Sequence, residues 1–182
     1  MTMGESHIVF ANWFFLHFTE NEGMAFGMKL GGSSGKLILS IFRLIAITLI
    51  GWWLYRVIKS NGSSGLIVCI SLIMAGAIGN IIDSAFYGLI FNESTYMQVA
   101  QMFPPDGGYA SFLHGKVVDM LYFPLIEARY PSWIPFVGGD DFIFFRPVFN
   151  IADSSITTGV FILILFQKRF FKKEDELTPY KE

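Results

Sequence analysis

Charged residues are scarce in this chain of 182 residues, at only 15% of the total. A domain that folds in water has about 25% charged residues, so a surface this poor in charge is unsuited to water. The apolar content of 53% excludes a disordered chain, and a net charge of −2 gives no indication of nucleic-acid binding. Cys69 is the single cysteine, which excludes a disulfide-stapled secreted domain.

The sequence also lacks the patterns of several catalytic classes. Its three histidines, His7, His17 and His114, are too scattered to indicate a metal site. No serine lies in a nucleophile-elbow pattern, and the glycine-rich stretches lack the lysine of a phosphate-binding loop. The sequence therefore predicts neither a metal ion nor a cofactor.

Long apolar runs are abundant, and they indicate a membrane protein. The mean hydropathy is +0.50, and three runs reach the length of about 20 residues that a bilayer-spanning helix needs. We predict transmembrane helices over residues 36–59, 65–90 and 148–168, within a single membrane domain that comprises residues 1–182.

Basic residues set the expected orientation of these helices. Arg56 and Lys59 precede the loop between the first two spans, and the cytoplasmic tail expected at residues 169–182 follows the third span, with the basic residues Lys168 at its border and Arg169, Lys172 and Lys173 within it. The positive-inside rule places both in the cytoplasm. Residues 91–147 then form an extracytoplasmic insert and cradle, which is too long to be a structureless loop.

The N-terminal segment 5–30 is expected to be an extracytoplasmic β segment. Residues 8–18 are rich in β-branched and aromatic side chains and precede polar turn residues, so they predict one strand that enters a turn. Three spans after an extracytoplasmic start require a further leading segment. We therefore expect a helix before Met1 to be missing, through truncation or a mis-set start rather than in a genuine three-helix variant.

Three acids lie in or beside the predicted spans, where an ionisable residue is costly and marks a functional site by default. Asp153 either caps the third span or takes part in chemistry. Asp83 shares a helix face with Asn80, so hydrogen bonding between helices explains it at least as well as catalysis. Asp119 follows two valines and, taken alone, is better explained as the end of a strand.

Asp119 and Asp153 together indicate a carboxylate pair, because both are expected at similar depth and outside the cytoplasm. Two carboxylates about 3 Å apart cannot both ionise, so such a pair holds one shared proton. The ionised member takes a proton from water, and the protonated member polarises a carbonyl group. This pattern favours hydrolysis by activated water.

Four short segments carry a family resemblance. Residues 21–26 read NEGMAF, residues 79–83 read GNIID, residues 117–119 read VVD and residues 149–154 read FNIADS. In this order they resemble the N-x-G-x-A-F, G-N-x-x-D, V-V-D and F-N-x-A-D-S motifs of the lipoprotein signal peptidases, also called signal peptidase II. These are aspartic proteases of the bacterial inner membrane.

The resemblance implies a mainly α-helical membrane protein, a four-helix bundle with a small extracytoplasmic β-sheet cradle and a periplasmic helix. It implies an active site on the extracytoplasmic face that cleaves prolipoproteins before a diacylglyceryl-modified cysteine. The implied partners are those substrates and membrane lipid, and we expect a monomer. By position, Asp119 and Asp153 are the catalytic pair. The residues that bind substrate or brace the site are Asn21, Gly23, Asn80, Asp83, Asn150 and Ala152.

Two departures from the family pattern stand out. Ser84 occupies a position where the family commonly has an arginine, which offers several donors to a substrate carbonyl. We hypothesise that Lys116 or Arg146 supplies them instead. The family's first helix, which usually carries an Asp and a Lys, is also absent. The insert at residues 91–112 is longer than in many members, and its role as a lid or as a decoration stays open.

Three functions remain to be compared. The first is an aspartic endopeptidase for prolipoproteins. The second is an inactive or truncated family member that binds the lipopeptide without cleaving it, which Ser84 and the missing helix motivate. The third is a small proton-coupled transporter that uses Asp83 and Asp153 as relays, although this leaves the segment at residues 21–26 unexplained.

Overall fold

Three long apolar helices form the main part of the fold. The computed structural model describes residues 1–11, 13–23, 32–124, 126–144 and 148–171, with the backbone alone for residues 33, 126–128 and 141–144. The helices are α1 (Gly32–Lys59), α2 (Ser64–Ile82), a π-helical segment (Asp83–Tyr87), the short α3 (Gly88–Ile90) and α4 (Ile151–Phe170). The strands are β1 (Ser6–Phe10), β2 (Phe14–Asn21), β3 (Val117–Tyr122), β4 (Ile126–Arg129), β5 (Asp141–Phe144) and β6 (Val148–Phe149).

Among the described residues, three helical stretches are long and apolar enough to cross a membrane, as the sequence predicts. They are Ser34–Lys59, Ser64–Ile90 and Ile151–Phe170. Helix α1 begins at Gly32, four residues before the predicted start. The reason is that Lys36 does not flank the helix in solvent but is buried within the protein, with 5% of its surface exposed.

Small residues allow α2 and α4 to approach each other closely. A Cβ atom on Gly76 would lie 2.2 Å from the backbone oxygen of Ala152, and one on Gly159 would lie 2.7 Å from that of Cys69. The hydroxyl of Ser155 also donates a hydrogen bond of 2.8 Å to the backbone oxygen of Leu72. Close contact through small residues is a usual way in which helices associate in a bilayer.

The larger sheet has four strands in the order β1-β2-β3-β6, and each neighbouring pair is antiparallel. Residues 8–18, predicted as one strand, instead contain the reversal of a β-hairpin, since Phe10 pairs with Phe14. Ala11 lies in the turn with a φ of 44°. Apolar side chains precede and follow the turn, and the sequence between them offers Asn12 as a turn signal that the prediction of one strand overlooks.

The chain between α3 and β3 is irregular but attached to the end of the second span. The amide of Ala110 donates to the oxygen of Gly88, and the amide of Gly115 donates to that of Ser84, both at 2.9 Å. Beyond it, β4 and β5 form a separate two-stranded sheet. The periplasmic helix that the resemblance implies is not found in residues 92–124 or 126–144, the described part of this region.

An apolar core lies at the end of the bundle where α1 connects to α2. Val57, Leu66 and Ile70 are buried there. Their partly buried neighbours include Trp53 and Phe170. The opposite end of the bundle meets the four-stranded sheet, and it is here that the polar motif residues converge.

Candidate functional site

Asp119 occupies the centre of the polar end and is 3% exposed. Strand β3 aligns with β2 so that Asn21 pairs with Val117, two residues before Asp119. Residues two apart on a strand share one face of the sheet, which brings Asn21 within reach of the carboxyl group. Asn21 Nδ2 donates to Asp119 Oδ2, and Asn150 Nδ2 donates to Asp119 Oδ1 at 2.8 Å.

The pKa of Asp119 is raised from its ordinary value of 3.8 to about 6. Burial is the largest cause, because it penalises the charged carboxylate, and the nearby charge of Asp153 adds to it. The hydrogen bonds from Asn21 and Asn150 oppose the shift, since they favour the ionised form. Asp119 therefore keeps its proton to a higher pH than an exposed aspartate does.

Asp153 lies in the first turn of α4, opposite Asn80 of α2. Asn80 Nδ2 donates to Asp153 Oδ1 at 2.8 Å. The N-cap residue of α4 is Asn150, whose Oδ1 accepts from the backbone amide of Asp153 at 2.8 Å. The interpretation of Asp153 as the helix cap is therefore wrong, since Asn150 caps α4 and Asp153 lies three residues further on, where it contacts a second helix.

Asn150 joins the two acids into one hydrogen-bonded chain. Its Nδ2 donates both to Asp119 and to Asn80 Oδ1, at 2.8 and 3.1 Å respectively. Asn80 in turn holds Asp153. The two carboxyl groups that the sequence pairs are therefore brought together through two asparagine side chains from different motifs.

Gly23 follows Asn21 in a tight turn. Its amide donates to the side-chain oxygen of Asn21, and its φ is 92°, a conformation that favours glycine. A Cβ atom here would also lie 2.7 Å from Nη1 of Arg43. Glycine is therefore needed both for the backbone conformation and for the close approach of this arginine.

Two basic residues of α1 belong to the site, and the sequence reasoning did not assign them to it. Lys36 Nζ donates to the backbone oxygen of Glu22 at 2.8 Å, and Arg43 Nη2 donates to that of Gly23. Arg43 also interacts electrostatically with Asp153 and Asp119. The available signal was the cost of placing a cation within an apolar span, which applies to basic residues as it does to acids.

Asp83 follows Asn80 by three residues at the end of α2, where its backbone amide donates to the oxygens of Asn80 and Gly79, but the two side chains have different partners. The chain passes into the π-helical segment at Asp83, and Asp83 Oδ2 accepts a long hydrogen bond of 3.4 Å from the backbone amide of Val118. Asp83 thereby contacts the strand one residue before Asp119. Its position fits a bracing role.

Ala152 lies at the closest approach of α2 and α4. Its backbone oxygen faces Gly76, and a Cβ atom on Gly79 would lie 3.1 Å from the Ala152 Cβ. A small residue at this position lets the helix start that carries Asp153 pack against α2.

Lys116, one of the two candidates to replace the family arginine, belongs to another cluster. Its Nζ lies 3.1 Å from Glu20 and 3.3 Å from Glu93, over the ring of Tyr109. The other candidate, Arg146, lies outside the described residues. At the arginine position itself, the fully buried Ser84 has Lys36 Nζ 3.5 Å from its Oγ.

The arrangement suits general acid–base chemistry on a peptide bond. A buried carboxyl group with a raised pKa and a second carboxyl group are held in fixed positions by amide side chains. In the part of the chain that the structure describes, no His, Cys, Asp and Glu side chains are grouped to hold a metal ion. Membrane-spanning helices together with such a pair of acids define the class of membrane aspartic hydrolases.

Comparison with known proteins identifies the family within this class. A sequence model described as signal peptidase (SPase) II matches residues 1–169. The chain is 52% identical over 170 residues to lipoprotein signal peptidases from two strains of Porphyromonas gingivalis, covering 93% of this chain and 73% of each relative. It is 39% identical over 165 residues to the lipoprotein signal peptidase of Amoebophilus asiaticus, covering 90% of this chain and 65% of that relative.

Two solved structures are also similar. Both are described as bacterial membrane enzymes determined by the in meso method, one at 2.3 Å and one at 1.9 Å resolution. The first has 28% identity, a TM-score of 0.54 and coverage of 100% of this chain and 80% of its own. The second has 27% identity, a TM-score of 0.51 and coverage of 92% and 77%. The chain belongs to the signal peptidase II family, and it is a bacterial membrane protein.

Proposed function

We propose that this chain removes the signal peptide from prolipoproteins by cleaving before the diacylglyceryl-modified cysteine, with Asp119 and Asp153 as its catalytic pair. The observation that carries the assignment of the pair is the hydrogen-bonded chain through Asn150 and Asn80, which joins a buried carboxyl group to a second one at the start of α4.

The two acids have different surroundings, and these support different roles. The raised pKa of Asp119, about 6, favours it as the member that holds the proton. Asp153 lies at a helix N-terminus, where partial positive charge favours an anion. In our proposal Asp119 donates a hydrogen bond to the scissile carbonyl oxygen, and ionised Asp153 accepts a proton from water.

The reaction then proceeds without a covalent enzyme intermediate. The oxygen of the activated water bonds to the carbonyl carbon, and the carbonyl oxygen takes the proton of Asp119, which gives a tetrahedral diol. Asp153 next gives its proton to the peptide nitrogen as the carbon–nitrogen bond breaks. Asp119 recovers a proton from the diol, so the pair returns to its starting state.

The setting of the reaction follows from the distribution of charge. Arg56 and Lys59 end α1 at the apolar end of the bundle, opposite the acids. The positive-inside rule supports a multi-pass protein of the bacterial inner membrane whose site faces away from the cytoplasm. One chain supplies both acids and both linking asparagines, which supports a monomeric enzyme.

A gel-shift cleavage assay on a diacylglyceryl-modified prolipoprotein tests the proposal. We expect Asp119→Asn and Asp153→Asn each to lower the rate about 1,000-fold or more, in the range of lost acid–base catalysis. Asp106→Asn, which changes an exposed turn residue, is the matched control and should cleave at the wild-type rate.

Two results would contradict the proposal. Full activity in either site variant would exclude the pair as the source of catalysis. Wild-type chain that binds the lipopeptide but never cleaves it would instead support the inactive binding protein considered above.

A further inference from the structure

Arg43 is a charged residue within a membrane-spanning helix, where a charge is costly unless it has a structural or functional role. It lies seven residues after Lys36 in α1, which is two helical turns, so the two side chains lie on the same face. Both reach the backbone of the segment that follows β2. A cation within a span normally faces a polar interior and marks a functional position.

Lys36 and Arg43 differ in how many of their hydrogen-bond donors have an acceptor. Lys36 donates to the backbone oxygen of Glu22 and lies beside the buried Ser84. Arg43 uses Nη2 for the backbone oxygen of Gly23. Its Nη1 is buried and has no hydrogen-bond partner among the residues that the structure describes.

A buried donor without an acceptor is costly, and this one is held rigidly. The backbone of Gly23 lies so close that a Cβ atom there would approach Nη1 to 2.7 Å and Nη2 to 3.0 Å. The guanidinium group therefore cannot turn freely in search of another acceptor. It also lies within electrostatic range of both Asp153 and Asp119.

We propose that Arg43 is a catalytic residue whose Nη1 donates a hydrogen bond to the scissile carbonyl oxygen of the substrate while Nη2 holds Gly23. This inference rests on the proposed function. The planar guanidinium group can serve two acceptors at once, and its charge would stabilise the oxygen as negative charge develops on it. In this proposal α1 supplies the donors of the family arginine that Ser84 replaces, and Lys36, on the same face of α1 as Arg43, lies 3.5 Å from Ser84 Oγ.

Substrate binding to an inactive background tests this contact separately from cleavage. In Asp119→Asn protein, we expect Arg43→Lys and Arg43→Gln each to weaken binding of a diacylglyceryl-modified peptide about tenfold, the effect of one hydrogen bond to a charged group. Lysine keeps the charge but lacks the planar pair of Nη atoms, so its single nitrogen cannot occupy both donor positions of the guanidinium group. Arg56→Lys, near the other end of the same helix, is the matched control and should leave the Kd unchanged.

A second peptide separates substrate contact from a purely structural role. In this analogue the scissile carbonyl is reduced to a methylene group, so the proposed acceptor is absent. We expect Arg43→Lys to have no further effect on binding of the analogue, as required of two partners in one contact. An equal loss for both peptides, or no loss for either, would overturn the inference.

The cleavage assay on the wild-type chain distinguishes failure of the function from failure of this contact. If the wild type binds without cleaving, and Arg43→Lys still weakens binding of the carbonyl peptide alone, the contact stands although the proposed function falls. If the wild type cleaves and the variant binds both peptides normally, the function stands and the contact falls.

Discussion

The two ends of the helical bundle are built from opposite kinds of residue. The end near the α1–α2 connection buries Val57, Leu66 and Ile70. The end that meets the sheet buries Asn80 and Asp119 and holds further charged groups. Close packing of apolar side chains is enough to stabilise the first end. At the second end, each buried polar group also needs a hydrogen-bond partner. The difference indicates that stability and function are concentrated at different ends of one bundle.

Buried polar groups destabilise a protein in a bilayer, where each group without a hydrogen-bond partner costs several kcal/mol of folding free energy. Here the asparagine side chains reduce that cost by linking one acid to the next. A buried polar network is favourable only when it is satisfied throughout. Its presence at this end is best explained by the chemistry of the two acids rather than by stability.

Among substitutions that test the difference between the two ends, we expect the largest loss of activity at Asn150, which caps α4 and contacts Asp119. Asn150→Ser keeps an N-cap oxygen but is too short to hold both Asp119 and Asn80. We expect kcat to fall about 100-fold, as is typical when catalytic groups are misplaced by about 1 Å. The thermal midpoint should also fall, because Asp119 and Asn80 each lose a buried hydrogen bond.

Steady-state cleavage and thermal unfolding of the same preparation check this prediction. Asn150→Ala serves as the companion variant, because it removes the cap as well and should lower both kcat and stability. Full activity of the serine variant would show that the link through Asn150 is dispensable.

The sequence predicts the polar end better than it predicts the way its parts are joined. Four motifs direct attention to residues that converge in the structure, because glycine, asparagine and aspartate within apolar runs are conspicuous. The partners of Asn80 and Asp83 are not predictable from helical spacing, since Asp153 and the backbone of Val118 are distant from them in the sequence. Arg43 was not assigned to the site because its acceptor, the backbone of Gly23, is distant in the sequence.

Prediction of the fold from the sequence is limited in the same way, by contacts between distant residues. The three spans follow from hydropathy alone, because lipid imposes a length and an apolar composition on each helix. The β1–β2 hairpin does not, since Asn12 is a weak turn signal between two apolar stretches and the register of the strands depends on pairing with β3. Long-range pairing between β2 and β3 is what places Asn21 beside Asp119.

Ile70 tests the apolar end, where we expect a substitution to lower stability without changing catalysis. It is fully buried, so Ile70→Ala leaves a cavity. We expect the free energy of unfolding in detergent micelles to fall by about 2 kcal/mol, at the low end for such substitutions, because lipid-like surroundings reduce the transfer contribution. The kcat of the folded fraction should stay at the wild-type value.

Val68→Ala is the matched control for Ile70. Val68 lies two residues away in the same helix and is 54% exposed, so its truncation should leave stability nearly unchanged. A fall in kcat for Ile70→Ala without loss of stability would contradict the separation of the two ends.

Gly76 lies between the two ends and tests how they are connected. Gly76→Ala would place a Cβ 2.2 Å from the backbone oxygen of Ala152, so α4 must move away from α2. We expect a stability loss of about 1–2 kcal/mol from overpacking, and a moderate fall in kcat because Asp153 follows Ala152. Gly51→Ala, where the nearest atom is Met74 Sδ at 3.6 Å, should be tolerated in both assays.

The smallest expected effect is a change in the pKa of Asp119 when its neighbour loses its charge. Asp153→Asn removes one of the causes that raise this pKa to about 6, but burial, the largest cause, remains. We therefore expect the pKa to fall while staying above the ordinary value of 3.8. The carboxyl C=O stretch of Asp119, followed by infrared difference spectroscopy against Asp119→Asn, measures the titration directly.

The same shift affects stability with a defined sign. Between pH 4 and about 6 the folded chain binds more protons at Asp119 than the unfolded chain, so the free energy of unfolding contributed by this group falls as the pH rises through that window. Asp153→Asn should narrow the window from its upper side, whereas the exposed control Asp106→Asn should leave it unchanged. An Asp119 titration that is identical in the wild type and in Asp153→Asn would show that the two acids are not electrically coupled. The polar end would then hold two independent carboxyl groups instead of a pair.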